Sequence, residues 1–213
     1  MKILFQGDSI TDAIRSREQD EYMGSGYATM VAGELGCKYP GECEFVNRGI
    51  SGNRIVDVYA RIKCDIINLK PDVMSLLIGV NDVWHETGDS PNGVDADKFY
   101  KVYDMLIDEI KAACPDTKLI IIAPFILEGD GTRNTAQIPD KFERFKADVS
   151  EKAEVARKVS QKYKLPLIEL QPAFDDACKK ASAEYWTIDG VHPTPCGHEI
   201  IKRLWIETFK KIK

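Results

Sequence analysis

The sequence predicts an α/β fold: a parallel sheet covered by helices on both faces. Three observations carry that reading. Short apolar runs recur along the 213 residues and several end in a glycine-containing turn. Each run is followed by a stretch with helical spacing. The run Val73 to Ile78 is almost unbroken in apolar character, as a strand buried on both faces requires. Strand and helix alternating five times argue for right-handed crossovers, and the ligand crevice of such a sheet lies outside the carboxyl ends of its strands.

The elements follow in order. Lys2 to Gln6 reads as the first strand, running straight into Gly7-Asp8-Ser9-Ile10-Thr11-Asp12, where glycine ends the strand and the polar side chains offer helix-capping groups. A charged loop from Arg15 to Glu21 precedes a helix from about Ser25 to Leu35 that is expected to stop at Gly36. Cys43 to Arg48 holds the second strand, which opens into Gly49-Ile50-Ser51-Gly52-Asn53 and a helix around Ile55 to Asn68. The third strand, Val73 to Ile78, ends at Gly79-Val80-Asn81-Asp82, and a polar loop from Trp84 to Gly93 follows.

The clearest amphipathic helix carries Phe99, Val102, Tyr103, Leu106, Ile107 and Ile110 at helical spacing. Lys118 to Ala123 is the fourth strand. The segment from Pro124 to Pro139 is long and rich in Gly, Asp, Thr and Asn, and loops of that length in compact domains are often functional. A helix from about Asp140 to Tyr163, a short strand at Leu167 to Glu169 and a short helix from Phe174 to Ala181 come next. The loop from Glu184 to Cys196 carries Trp186, Asp189 and His192, and a last helix repeats apolar residues at Ile201, Leu204, Trp205, Phe209 and Ile212.

Size and 44% hydrophobic content are consistent with one domain spanning residues 1–213, without repeats, low-complexity tracts or linkers. The net charge of −5 and scattered basic residues argue against nucleic acid or an anionic membrane surface as partner. Six cysteines lie singly, without CxxC pairs, so reduced thiols are expected. No apolar run approaches the ~20 residues needed to span a bilayer, and no signal-peptide pattern precedes the first strand, so a soluble, cytoplasmic chain is expected. A secreted protein trimmed of its signal would read the same way.

Catalysis is argued from where polar residues fall. Ser9 follows the first strand, Gly52 the second and Asn81 the third, while Asp189 and His192 share the loop before the last helix. Acyl transfer by serine needs a nucleophile, a base within hydrogen-bond reach, a carboxylate to orient that base, and donors for the developing oxyanion. Ser9 is a candidate nucleophile and equally a candidate helix cap. His192 is the natural base, because imidazole titrates near neutrality. Asp189 is placed to orient it. The N–H groups of Ser9 and Gly52 and the Asn81 amide are candidate oxyanion donors, and Gly52, lacking Cβ, lets backbone come close to a ligand. Singly, each has a plainer reading as a turn glycine, a cap or a tight turn. Their joint order along the strands is far more specific.

Gly7-Asp8-Ser9-Ile10, Gly52, Gly79-Val80-Asn81-Asp82 and Asp189-Gly190-Val191-His192 resemble, in order, the four blocks of the SGNH (GDSL-like) hydrolases, over residues 7–192. The resemblance implies a three-layer α/β/α fold with a flavodoxin-like five-stranded sheet ordered 2-1-3-4-5. It also implies Ser9 as nucleophile, His192 as base, Asp189 as its partner, Ser9, Gly52 and Asn81 as the oxyanion hole, and no cofactor or metal. Ile10 stands where the older motif has leucine. No G-x-S-x-G elbow is present, which separates the chain from the α/β-hydrolases. Asn47 to Asn53, Ile78 to Trp84 and Trp186 to Thr194 look most like bacterial carbohydrate acetylesterases, implying a short-chain, acetyl ester on a sugar as substrate.

Other readings exist. An acyl thioesterase or lysophospholipase would keep the site and change the substrate. A metallophosphoesterase could draw on Asp8, Asn81, Asp82, Asp189 and His192, but lacks converging histidines at ligand spacing. A carbohydrate-binding module would have no reason to carry the whole set. Trp84 and Trp186 offer flat surfaces suited to a sugar face, although packing is their commoner use. Arg48 and Arg54 flank the glycine turn and could meet a polar substrate, although solvated arginines or structural ion pairs are their commoner uses; Asp8 reads as a support for its turn, His85 beside the Asn81 loop either as a substrate contact or, more commonly for such a residue, as one without a task, and His198 as a surface or capping residue.

Overall fold

The computed structural model describes residues 1–87 and 90–213; the stretch expected as a loop from Trp84 to Gly93 thus lies partly outside the described residues. Five parallel strands, β1 (Lys2–Gly7), β2 (Glu44–Asn47), β3 (Val73–Leu77), β4 (Lys118–Ala123) and β5 (Leu167–Glu169), form one sheet in the order β2-β1-β3-β4-β5. Ile3 pairs with both Phe45 and Val73, and Val73 with Lys118, so β1, β3 and β4 run in step across the sheet. The helices are α1 (Ser9–Asp12), α2 (Tyr27–Lys38), α3 (Ile55–Ala60), α4 (Ile62–Asp65), α5 (Val80–Trp84), α6 (Ala96–Ala113), α7 (Lys141–Tyr163), α8 (Leu170–Cys178), α9 (Ala183–Trp186) and α10 (Pro195–Ile212).

Strand alternation divides the core in two. Ile3, Phe5, Val73, Leu77, Ile120 and Ile122 point to one face, where α2 and α10 bring Tyr27, Val31, Trp205 and Phe209. Leu4, Met74, Leu76, Leu119 and Ile121 point to the other, against Phe99, Tyr103, Leu106, Ile107 and Ile110 of α6 and Val155 and Val159 of α7. The six apolar positions picked out for α6 by spacing include all five of its buried residues.

Some boundaries differ from expectation. The helix after the second strand breaks into α3, α4 and a 3-10 turn at Ile67–Leu69. Arg61, between α3 and α4, leaves helical geometry (φ −111°, ψ 15°) and spends its guanidinium on Asn53 Oδ1, the Arg48 carbonyl and Asp65. The helix expected to stop at Gly36 continues to Lys38 and is closed by the Tyr39 N–H, which bonds to the Leu35 carbonyl at 2.8 Å. The last loop contains the short helix α9, and α8 begins at Leu170 rather than Phe174. All six cysteines are free thiols. Among the described residues no helix is long and apolar enough to cross a membrane.

Candidate active site

The carboxyl ends of β1, β2 and β3 deliver three of the four loops in question to one edge of the sheet. At the end of β1, Asp8 caps α1 by accepting the Ile10 N–H at 3.0 Å. That fixes Ser9 as the first residue of the helix, where its own N–H has no partner within the helix. Asp8 itself is buried, and one of its carboxyl oxygens has no hydrogen-bond partner among the described residues. Desolvation pushes its pKa up to about 7, against the opposing pull of the Ile10 bond and of His192. Asp8 thus supports the turn, as the sequence indicated.

After β2 the chain is held by a side chain at each step. Asn47 donates to the carbonyls of Thr11 (2.7 Å) and Met23 (2.9 Å) and accepts the Gly49 N–H. The Ile50 N–H bonds back to Gly7, and both the N–H and the hydroxyl of Ser51 donate to buried Asp12. Asp82, beside Asn81, accepts the Ile55 N–H at 3.0 Å. Burial pushes the Asp82 pKa up to about 7 against that bond and Lys152. The result presents Gly52 at φ +82°, a conformation glycine adopts without strain, with open space where a side chain would stand. The Asn81 amide lies against the same turn, donating to the Asn53 carbonyl at 3.2 Å. Among the described residues that is the one partner of its two N–H bonds.

Asp189 and His192 come from the loop before α10. Thr187 and Pro193 form an isolated antiparallel bridge, the Ile188 N–H bonds to the His192 carbonyl at 2.7 Å, and Thr194 caps α10 with Pro195 in the first turn. His192 Nε2 lies 2.8 Å from Ser9 Oγ, and His192 Nδ1 lies 2.7 Å from Asp189 Oδ2. A carboxylate only accepts, so Nδ1 carries the proton and Nε2 is left to accept from the Ser9 hydroxyl. The other Asp189 oxygen accepts the N–H groups of Val191 (3.0 Å) and His192 (2.9 Å). Burial would raise the Asp189 carboxyl, but these bonds together outweigh it and bring the pKa down to about 2. The same partner raises the His192 pKa from its ordinary value, against desolvation. A serine, an imidazole with its free lone pair toward the hydroxyl and an ionised carboxylate behind it form the relay that acyl transfer requires.

The candidates Ser9, Asp189 and His192 are therefore joined by hydrogen bonds, and Asn81 touches the turn that carries Gly52. Several supports had no sequence signal strong enough to single them out. Asp12 and Asn47 hold the Gly52 turn. The loop from Pro124 to Pro139 props the Asp189 loop: Leu127 N–H donates to the Gly190 carbonyl at 2.8 Å, Gly131 N–H to the Asp189 carbonyl at 2.9 Å, and buried Thr132 bridges the Leu127 carbonyl and the Gly129 N–H. One expectation is corrected in part, and the two tryptophans are packed as their commoner use suggests. His198 is buried, not a surface residue; its Nδ1 accepts the Tyr27 N–H at 3.1 Å and so caps α2. Trp186 sets its Nε1 against the Ala181 carbonyl and its ring edge-on to Tyr185, and Trp84 packs edge-on against Phe145. Arg48 pairs with Asp20 and Arg54 with Asp57, both as structural ion pairs. Among the described residues no group of three or more His, Cys, Asp or Glu side chains is placed to hold a metal ion.

Residues 5–200 match the GDSL-like lipase/acylhydrolase family. The chain belongs to that family. It is accordingly a carboxylic ester hydrolase with the α/β/α fold of that group. An acetylxylan esterase of Geobacillus stearothermophilus is 32% identical, over 96% of this chain and 92% of its own length. Its solved structure superposes with a TM-score of 0.83, covering 97% of this chain and 93% of that one at 31% identity. Two catalytic variants of that esterase, one with a serine and one with an aspartate replaced by alanine, superpose with a TM-score of 0.84. The structure of a GDSL-like lipase from Parabacteroides merdae gives a TM-score of 0.86 at 33% identity, over 98% of this chain and 95% of its own.

Proposed function

We propose that this GDSL-like hydrolase removes acetyl or other short acyl groups from carbohydrate esters, with Ser9 as nucleophile, His192 as general base and Asp189 as the carboxylate that orients it. The observation that carries the proposal is the unbroken relay from Ser9 Oγ through the His192 ring to Asp189, at 2.8 and 2.7 Å. The similarity to an acetylxylan esterase over nearly the whole chain supports the choice of substrate class.

In this reading the Ser9 oxygen attacks the ester carbonyl while its proton passes to His192 Nε2. The oxyanion that forms is received by the N–H groups of Ser9 and Gly52 and by the Asn81 amide. The imidazolium is held by Asp189 and returns the proton to the departing sugar hydroxyl, leaving an acyl group on Ser9. Water, deprotonated by the same imidazole, then releases the carboxylic acid and regenerates the serine.

The test is the initial rate of wild type and Ser9→Ala on p-nitrophenyl esters from acetate to dodecanoate, with and without chelator. The expected result is Ser9-dependent, chelator-insensitive turnover falling steeply beyond butyrate, followed by release of acetate from acetylated oligosaccharides. Rates that rise toward long chains would move the assignment to the thioesterase or lysophospholipase reading, and activity retained by Ser9→Ala would overturn it.

A further inference from the structure

Asn81 and the residue four positions on, His85, belong to one turn of helix: the backbone of His85 is still helical (φ −67°, ψ −10°) and its N–H bonds to the Asn81 carbonyl at 3.0 Å. Side chains at this spacing lie on the same helix face. The Asn81 amide reaches the Asn53 carbonyl, and the His85 ring faces the preceding residue, Gly52. A Cβ placed on Gly52 would meet nothing nearer than His85 Nε2, at 4.0 Å. The open space that Gly52 leaves is thus bounded first by the imidazole edge of His85. Both His85 and Gly52 are half-buried, as are Ser9 and Asn81. The backbone that carries the ring is held on both sides, since the His85 carbonyl accepts the Asn92 N–H at 2.8 Å and the adjacent Trp84 packs on Phe145.

We infer that His85 is a substrate-binding residue, its Nε2 hydrogen-bonding a hydroxyl of the alcohol portion next to the ester being cleaved. An ester whose carbonyl oxygen sits at the Gly52 N–H has its substituents within reach of this ring. Imidazole, presenting a donor or an acceptor according to tautomer, suits a hydroxyl on the carbon next to the acylated one. Ser9, His192 and Asp189 do the chemistry, while His85 separates a polyhydroxylated alcohol from a simple one. The inference rests on the proposed sugar-ester activity.

The experiment compares wild type, His85→Leu and His85→Gln on methyl 2-O-acetyl-β-xylopyranoside, which keeps a free neighbouring hydroxyl, and on p-nitrophenyl acetate, which has none. In His85→Leu, kcat/KM on the sugar ester should fall about five- to tenfold further than on p-nitrophenyl acetate, through KM more than kcat, as loss of one neutral hydrogen bond predicts. His85→Gln, which can still donate and accept, should recover most of that difference. An equal fall on both substrates, or no fall on the sugar ester, overturns the role of His85. If wild type cleaves p-nitrophenyl acetate but not the sugar ester, the proposed substrate class fails, and this inference with it.

Discussion

At the scale of single residues, the chemistry depends on what touches His192. Asp189 raises its pKa, and in the proposed mechanism the imidazole must be neutral to accept the Ser9 proton, so kcat/KM should fall on the acid side with a midpoint above the ordinary histidine value of 6.5. Replacing Asp189 by Asn removes both the charge and the preference for the Nδ1–H tautomer. The acid midpoint should then move down, and kcat should drop by several orders of magnitude, on the order of 10⁴. A pH–rate profile of the two proteins checks this; an unmoved midpoint would mean that the bond at 2.7 Å is not what sets the His192 pKa. Asn81→Ala removes one proposed oxyanion donor and should cost about 10²–10³ in kcat, with little change in KM. The candidate site residues Ser9, Gly52, Asn81, Asp189 and His192 were all singled out in the sequence, because hydroxyl, glycine, amide, carboxylate and imidazole in that order along the chain are a scarce combination. Asp12 and Asn47 were not, because one buried carboxylate or amide holding backbone looks in sequence like any other.

At the scale of elements, two of the four loops of the candidate site, the Gly52 turn and the Asp189 loop, are kept in place by segments outside the motifs. The Asp189 loop depends on the stretch after β4. Thr132 is buried and its hydroxyl is shared between the Leu127 carbonyl and the Gly129 N–H, while Gly190 sits at φ +100° with the space for a Cβ already filled by Thr132 Oγ1 at 2.4 Å. Thr132→Val keeps the shape and removes the hydroxyl, leaving two buried backbone groups without that partner at a cost of about 1–3 kcal/mol. Denaturant melts should show that loss, and kcat should fall at temperatures where the variant is still fully folded, since Leu127 and Gly131 hold the Asp189 loop directly. A variant destabilised but fully active when folded would mean that the loop keeps its geometry unaided. Its length and polarity marked this segment as functional in the sequence, but only the fold reveals that it braces the loop carrying Asp189 and His192. The split of the expected helix from Ile55 has a similar origin. Local periodicity continues through Arg61, and the break comes from long-range acceptors on Asn53 and Arg48 that no window of sequence identifies.

At the scale of the whole molecule, the strand order was an implication of the family resemblance, whereas the two-sided core and the meeting of the loops at the carboxyl edge follow from the alternation of apolar runs with amphipathic helices. That part was legible because it is repeated along the entire chain. What was not legible is the set of titratable groups buried inside it. Asp8 and Asp82 are buried with their pKa values raised to about 7, and His198 is buried with its value lowered to about 4. Between pH 4 and 7 the unfolded chain releases the Asp8 proton and the folded chain keeps it, so this group erodes stability as pH rises through that window. His198 has the opposite slope: it is neutral in the fold, and its contribution is lost as pH falls from about 6.5 toward 4. Asp8→Asn should therefore lose less stability than wild type between about pH 4.5 and 7.5, and His198→Gln less than wild type between about pH 6.5 and 4.5. Urea unfolding at those pH values measures both, and curves parallel to wild type would contradict the burial of these two groups in their neutral forms.

Mass spectrometry after exposure to a reactive organophosphate, such as diethyl p-nitrophenyl phosphate, decides whether Ser9 is the activated nucleophile. One diethylphosphoryl group should appear on wild type, mapped by proteolysis to the peptide containing Ser9, in step with loss of esterase activity. Ser9→Ala should acquire none, and His192→Ala should react far more slowly. Labelling at another serine, or inactivation without any adduct on Ser9, would contradict that assignment.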